Sequence, residues 1–364
     1  MPNLRDHAVL HFIVLIWGFT AILGKLITIP AVELVFYRTL IASIALGLII
    51  TRRRRSFRMS IASGLKILGT GMLISAHWIL FFASVNISTV SVCLAGMATA
   101  TLWTSILDPL ITGRKVKGFE INIGLVIILG LYVVFRFEFN HFWGILLALI
   151  SAMLAALFTV INSKLIKKHD HSIITFYEMA GACLGSALFF PFYARYFVKS
   201  HTLHLIPDNA IDWLYIGILA IICTVYAYTV AVKLMNKFSP FAINLTVNLE
   251  PVYGIVLAFI IFGDAEKMTA GFYLGTLIIL AAVLAYPYLD KYFAEKRGSW
   301  KIVVLLAAIV FNESGLFPIY IHWLGYLGLM LVLISPEVYQ WITKKRKARK
   351  AAEESNLETV KVNR

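Results

Sequence analysis

Charge is what this chain has least of. Only 14% of its 364 residues are Asp, Glu, Lys or Arg, 60% are hydrophobic, and the mean hydropathy is +0.83. Soluble domains carry roughly a quarter charged residues, so an aqueous globule is excluded and an all-α polytopic membrane protein is implied. Acidic groups are scarcer than basic ones, 19 against 33, for a formal charge of +14. The basic residues fall in short runs between apolar segments, which marks cytoplasmic loops and argues against a nucleic-acid partner. Cysteine is limited to Cys93, Cys183 and Cys223, all inside apolar runs and without metal-ligand spacing, so neither a disulfide framework nor a metal site is expected. Also missing are a Gly-rich phosphate loop with lysine, an H-E-x-x-H pair and a nucleophile elbow, which leaves no enzyme signature and no implied cofactor.

What is present is a series of apolar segments, each near the ~20 residues that cross a bilayer. They run over 8–28, 31–50, 65–86, 89–111, 119–136, 142–163, 173–193, 213–235, 240–262 and 269–289. The first runs on too long for a cleavable signal and reads as a membrane helix. Arg52 to Arg55 with Arg58, Arg114 with Lys115 and Lys117, Lys164 with Lys167 and Lys168, Lys233 with Lys237, and Lys291 with Lys296 and Arg297 occupy alternate loops. All of these are cytoplasmic if the N-terminus is; Arg195 and Lys199 are the exception. Beyond 289, residues 302–311 and 316–335 are again apolar, and the basic run KKRKARK follows at 344–350. Basic flanks on both sides require an even number of crossings. A two-helix hydrophobic hairpin, or one with a re-entrant arm, is therefore expected over 299–343, ahead of a basic, polar cytoplasmic tail at 344–364.

The chain also repeats itself after about 140–150 residues. FTAILGKLI at 19–27 matches FTVINSKLI at 158–166, and Phe36-Tyr37-Arg38 matches Phe176-Tyr177-Glu178. Leu65–Ser88 resembles Trp213–Pro240, and Gly124 with the residues after it resembles Gly275 with its own. The two units, 8–136 and 142–289, hold five segments each, an odd number, so the second sits upside down relative to the first. The expected fold is a ten-helix core of two inverted five-helix repeats plus the C-terminal hairpin. Inverted repeats are the architecture of secondary transporters, with substrate near the midplane where the halves meet.

The costliest residue in the apolar run 240–262 is Glu250. A carboxylate at that depth normally faces a bundle interior or a water-filled cavity, and Pro251 is expected to bend the helix beside it. Asn244 and Asn248 lie four residues apart on one side, as substrate contacts or as helix-to-helix glue. Thr101, Thr104 or Ser105, and Asp108 form a polar stripe on the paired segment of the first half that is expected to face the cavity, with Asp108 near the cytoplasmic end as a solvated interfacial carboxylate or else a buried relay. Arg38 is deep enough to need an acid, Glu33 being the near one, or an anionic group of a solute, unless it snorkels to the interface. His77 and Trp78, with Tyr226 and Tyr228 at matching places in the second half, offer pocket walls or core packing, as does Trp17. His77 is either a hydrogen-bonded structural histidine or a candidate for proton coupling. Lys25 and Lys164, near segment ends, are expected to snorkel.

Trp17-Gly18, Arg38 and the pattern Glu250-Pro251…Gly263-Asp264 together resemble the EamA family of the drug/metabolite transporter superfamily, whose members have two five-helix EamA domains. The resemblance covers about residues 8–289 and is stronger in the second half. The first half departs from the pattern. Thr101 stands where the family usually has proline, Arg114 replaces the loop acid, and an acid-proline pair occurs instead at Asp108-Pro109. The resemblance implies a multi-pass permease of a bacterial cytoplasmic membrane that exports amino acids or related metabolites. Coupling to protons or sodium and a homo-oligomer are both compatible with it. The competing readings are a membrane-embedded lipid-handling protein or enzyme, with Lys25, Glu33 and Arg38 as its foothold, and an assembly or sensor subunit that docks through the C-terminal hairpin.

Overall fold

In hydrocarbon the backbone of an apolar run can satisfy its N–H and C=O groups only within itself, and long runs therefore become helices. The computed structural model describes residues 2–113, 118–198, 206–207 and 209–294, and every regular element among them is helical. In the first half these are α1 (Leu4–Leu26), α2 (Ala31–Arg52), α3 (Ile61–Ile87), α4 (Val90–Met97), α5 (Ala100–Thr112) and α6 (Gly118–Phe137). In the second they are α7 (Phe142–Leu165), α8 (His171–Tyr196), α9 (Ala210–Ile218), α10 (Ala227–Leu234), α11 (Pro240–Val247), α12 (Glu250–Phe262) and α13 (Ala270–Ala294). Starts are set by short polar caps: Asn3, Ser60, Thr89, Asp170, Asn209 and Ser239 each accept a backbone N–H of the turn they precede. Among the described residues, eight stretches are long and apolar enough to cross a membrane, with α4–α5, α9–α10 and α11–α12 each counting as one. The described apolar parts of α6 and α13 are shorter, Val126–Phe137 and Ala270–Ala285. The expected hairpin at 299–343 and tail at 344–364 lie outside the described residues.

The chain divides into two units. One comprises Met1–Lys115 with Ile123–Tyr286; the other, Val116–Asn122 with Pro287–Arg364, is described only in the start of α6 and the end of α13. Within the first unit the packing is reciprocal between the sequence halves. Helix α3 lies against α7 and α8, while the α9–α10 stretch lies against α1 and α2. Helices α4 and α5 pack on α7 as α11 and α12 pack on α1. At the α3–α8 crossing a Cβ on Gly71 would sit 2.1 Å from the Glu178 carbonyl oxygen, and one on Gly181 would sit 2.2 Å from that of Leu68. Only glycine lets those backbones meet.

Helices α4–α5 and α11–α12 are interrupted at the same place. The break falls at Ala98–Thr99 in one and Asn248–Leu249 in the other, after 8 helical residues and before 13. Thr99 N–H bonds to Gly96 O and Leu249 N–H to Thr246 O, three residues back instead of four. Proline is therefore not the cause expected from the sequence. Pro251 sits in the first turn of α12, where its missing N–H costs little, and the first-half break forms with Thr101 at the matching position. The two broken helices run antiparallel, α12 against α4 and α11 against α5, so both breaks lie where they cross.

The two ends of the bundle are closed differently. At the end away from Asn3, three buried acids bridge the halves: Glu266 binds the start of α4, Glu138 binds Thr269 ahead of α13, and Asp212 binds Thr28 ahead of α2. At the other end the links are two exposed ion pairs, Lys237 with Asp6 and Arg55 with Asp170, beside part-buried hydrogen bonds from Lys164 to Ile111 O and from Tyr177 to Phe57 O.

Candidate solute cavity

Seven of the residues singled out from the sequence meet around one cavity of about 90 Å3: Trp17, Arg38, His77, Trp78, Tyr228, Asn244 and Glu250. A water needs about 10–15 Å3 by this measure, so the space holds several, the scale of a small metabolite. Phe81, Met97, Phe158 and Met235 complete an aromatic and thioether wall. Glu250, in the first turn of α12, enters at the midpoint break, where the free N–H groups of a helix start favour an acid.

Arg38 reaches the cavity from α2 and is 1% exposed. Its Nε donates to Thr224 Oγ1 at 2.8 Å, and its Cζ lies 3.9 Å above the Trp78 ring, a cation–π contact strengthened by desolvation. Nη1 has no hydrogen-bond partner. Glu33 is not its counterion, because Arg38 turns toward Thr224 and Trp78. Nor does Arg38 form an ion pair with Glu250 across the cavity. A guanidinium and a carboxylate thus face one space without neutralising each other directly.

Thr224 belongs to a π-helical stretch, Leu219–Tyr226, between α9 and α10. Its hydroxyl donates to Leu219 O, five residues back, and Trp17 Nε1 donates to Cys223 O at 3.1 Å. Both first-half side chains are anchored on this wider turn, a common marker of function that the apolar run 213–235 did not betray. The same stretch decides between the paired tyrosines. Tyr228 is buried on the cavity, whereas Tyr226 is 46% exposed and lies outside it.

His77 is pinned to α7: Nδ1 lies 2.8 Å from Ser151 Oγ and 2.9 Å from Ser151 O, and Ser151 Oγ donates back to His77 O. The asparagines join the broken helices. Asn244 Nδ2 donates to Thr104 Oγ1 at 2.6 Å and Asn248 Nδ2 to Thr101 Oγ1. Asn244 also lines the cavity, while Asn248 and Thr101 are buried at the break outside it. Asp108 is buried near the end of α5 instead of solvated, and it lies away from the cavity. The two lysines near segment ends both bind helix C-terminal carbonyls. Lys25 Nζ donates to Val85 O and Ser88 O at the end of α3, and Lys164 Nζ to Ile111 O at the end of α5, because helix ends leave carbonyls that want a cation. Lys25, Glu33 and Arg38 do not converge on a common centre. Among the described residues no three His, Cys, Asp or Glu side chains gather to hold a metal.

Glu178 and Asn162 are not among the site residues expected from the sequence. Both are fully buried, and both touch the Tyr228 hydroxyl. Glu178 could have been found as an acid inside an apolar run, in the repeat position of Arg38.

The EamA-like transporter family matches this chain over residues 8–136 and 142–286. An uncharacterized transporter of Archaeoglobus fulgidus is 25% identical over 288 residues, spanning 77% of this chain and 96% of its own length. One solved crystal structure of a protein superposes on 79% of this chain and 99% of its own, with a TM-score of 0.59 and 13% identity, a likeness of fold alone.

Proposed function

Because the chain belongs to the EamA-like transporter family, we propose that it is a secondary transporter exporting amino acids or related zwitterionic solutes by alternating access. This rests on one observation: Arg38 and Glu250 face the same cavity between the two halves without pairing to each other. An α-amino acid carries the two complementary charges. Its carboxylate suits Arg38, with its unpartnered Nη1, and its ammonium suits Glu250. The walls of Trp17, Trp78, Phe81 and Phe158 favour an aromatic or apolar side chain.

Alternating access needs two ends that open in turn around a fixed site. The buried acid bridges hold one end shut, and the exposed ion pairs at the other are weak links in water. The reciprocal packing of the halves, with both broken helices crossing at mid-depth, supports a ten-helix inverted repeat that rocks about those breaks. The basic loops favour a cytoplasmic position for the ion-paired end.

The test is flux of radiolabelled phenylalanine in proteoliposomes. Glu250→Gln keeps the shape and removes the charge, so flux falls at least about tenfold if one ammonium contact of ~1.5 kcal/mol or more is lost. Normal flux in this variant would sink the role of Glu250.

A further inference from the structure

A second acid is buried beside the cavity, outside the solute contacts just described. Glu178 on α8 is 0% exposed, and its Oε2 accepts from the Tyr228 hydroxyl at 3.2 Å. The same hydroxyl accepts from Asn162 Nδ2 of α7 at 2.9 Å. The cluster is short of hydrogens: Glu178 Oε1 and Asn162 Oδ1 are both buried acceptors without a donor. It is also short of positive charge. The groups that act on Glu178 are Asn162 of α7 and Tyr228 of α10, and only Tyr228 is titratable. Helix α3 meets this turn of α8 with Gly71 and Leu68, its Lys66 being exposed, and α2 holds its Arg38 at Thr224. An ionised carboxylate in such a place is expensive, and leaving buried acceptors without donors adds to the cost.

One proton relieves both shortages. It neutralises the carboxyl and supplies the missing donor, with Asn162 Oδ1 as an open acceptor in the same cluster. A sodium ion fits less well, because it needs more oxygen ligands than the two that are free. The route in is also built: the Tyr228 ring forms part of the cavity wall, 6.2 Å from both the Trp78 and Phe158 rings, while its hydroxyl touches the acid.

We propose that Glu178, with Tyr228 and Asn162, is the site that carries the coupling proton, apart from the solute charges at Arg38 and Glu250. The coupling role rests on the transporter reading above; the site itself does not. Loading is a proton transfer. A hydronium ion in the cavity water gives a proton to the Tyr228 hydroxyl as that hydroxyl gives its own hydrogen to Glu178 Oε2, so a neutral water is left, the tyrosine is unchanged and Glu178 gains one proton, which rotation of the carboxyl turns toward Asn162 Oδ1. Unloading reverses this when the cavity opens at the other end.

Two measurements on the full-length protein in lipid separate the site from the transport reading. In infrared difference spectra between acidic and alkaline buffer, one carboxylic-acid carbonyl band present in wild type and in Glu250→Gln should be lost in Glu178→Gln. Glutamine matches the protonated acid in size and charge, so the variant keeps the packing. Spectra unchanged by Glu178→Gln overturn the proposal. Removal of the band by sodium chloride at fixed pH also overturns it, since the site would then hold a metal cation. In proteoliposomes loaded with buffer, a gradient of about one pH unit should accumulate phenylalanine about tenfold for one coupled proton, and Glu178→Gln should abolish that accumulation. Undiminished accumulation in the variant overturns the coupling role. If wild type moves no phenylalanine while the band still depends on Glu178, the solute assignment fails and the proton site stands.

Discussion

The Glu266 carboxylate accepts from the N–H groups of Val90 and Ser91 at 2.9 Å each and from the Ser91 hydroxyl at 2.8 Å, and it is 2% exposed. It therefore caps a helix of the other sequence half, where no water can replace it. Glu266→Ala leaves three buried donors without this acceptor and should cost roughly 3 kcal/mol, lowering the melting temperature of the purified protein by several degrees. Asp264, two residues earlier, is exposed, and Asp264→Ala should fall within about 0.5 kcal/mol of wild type. Equal melting temperatures for the two variants would remove the bridge from the account. The family pattern drew the eye to Gly263-Asp264, yet the bridging acid is Glu266. A sequence shows that an acid follows an apolar run, but which of two neighbouring acids turns inward depends on where another helix begins.

At the scale of elements, the paired breaks matter more than the proline beside one of them. Thr99 and Leu249 bond three residues back in the same way, and side-chain bonds from Asn248 to Thr101 and from Asn244 to Thr104 tie the broken helices together. Pro251→Ala should therefore leave the break in place. Its expected cost is under about 1 kcal/mol, with phenylalanine flux within about twofold of wild type. A large gain in thermal stability together with loss of flux would mean that alanine had healed the helix and that proline made the break after all. The spacing of apolar residues placed the segments within a few residues of the observed helices, since burial and backbone satisfaction act locally. The interruptions and the π-helical stretch at Leu219–Tyr226 were not legible, because they answer to partners such as Arg38 and Trp17 some two hundred residues away.

At the scale of the molecule, the matched halves interlock in one unit and the cavity lies wholly inside it, lined by residues from Trp17 to Glu250. The family match likewise ends at residue 286. A chain lacking 299–364 should therefore keep most of its phenylalanine flux, within about threefold, and a melting temperature within a few degrees of full length. Complete loss of flux from a folded truncated protein would give the C-terminal segment a functional part instead. By itself the sequence determined the membrane, the helical class and the cost of Glu250 and Arg38, because hydropathy and buried charge are properties of a segment alone. Only the tertiary structure decided that Arg38 stacks on Trp78 and spares Glu33, that Tyr228 turns in while Tyr226 turns out, and that Glu178 is buried beside the cavity. Those outcomes depend on which helix each side chain meets, and no single segment carries that information.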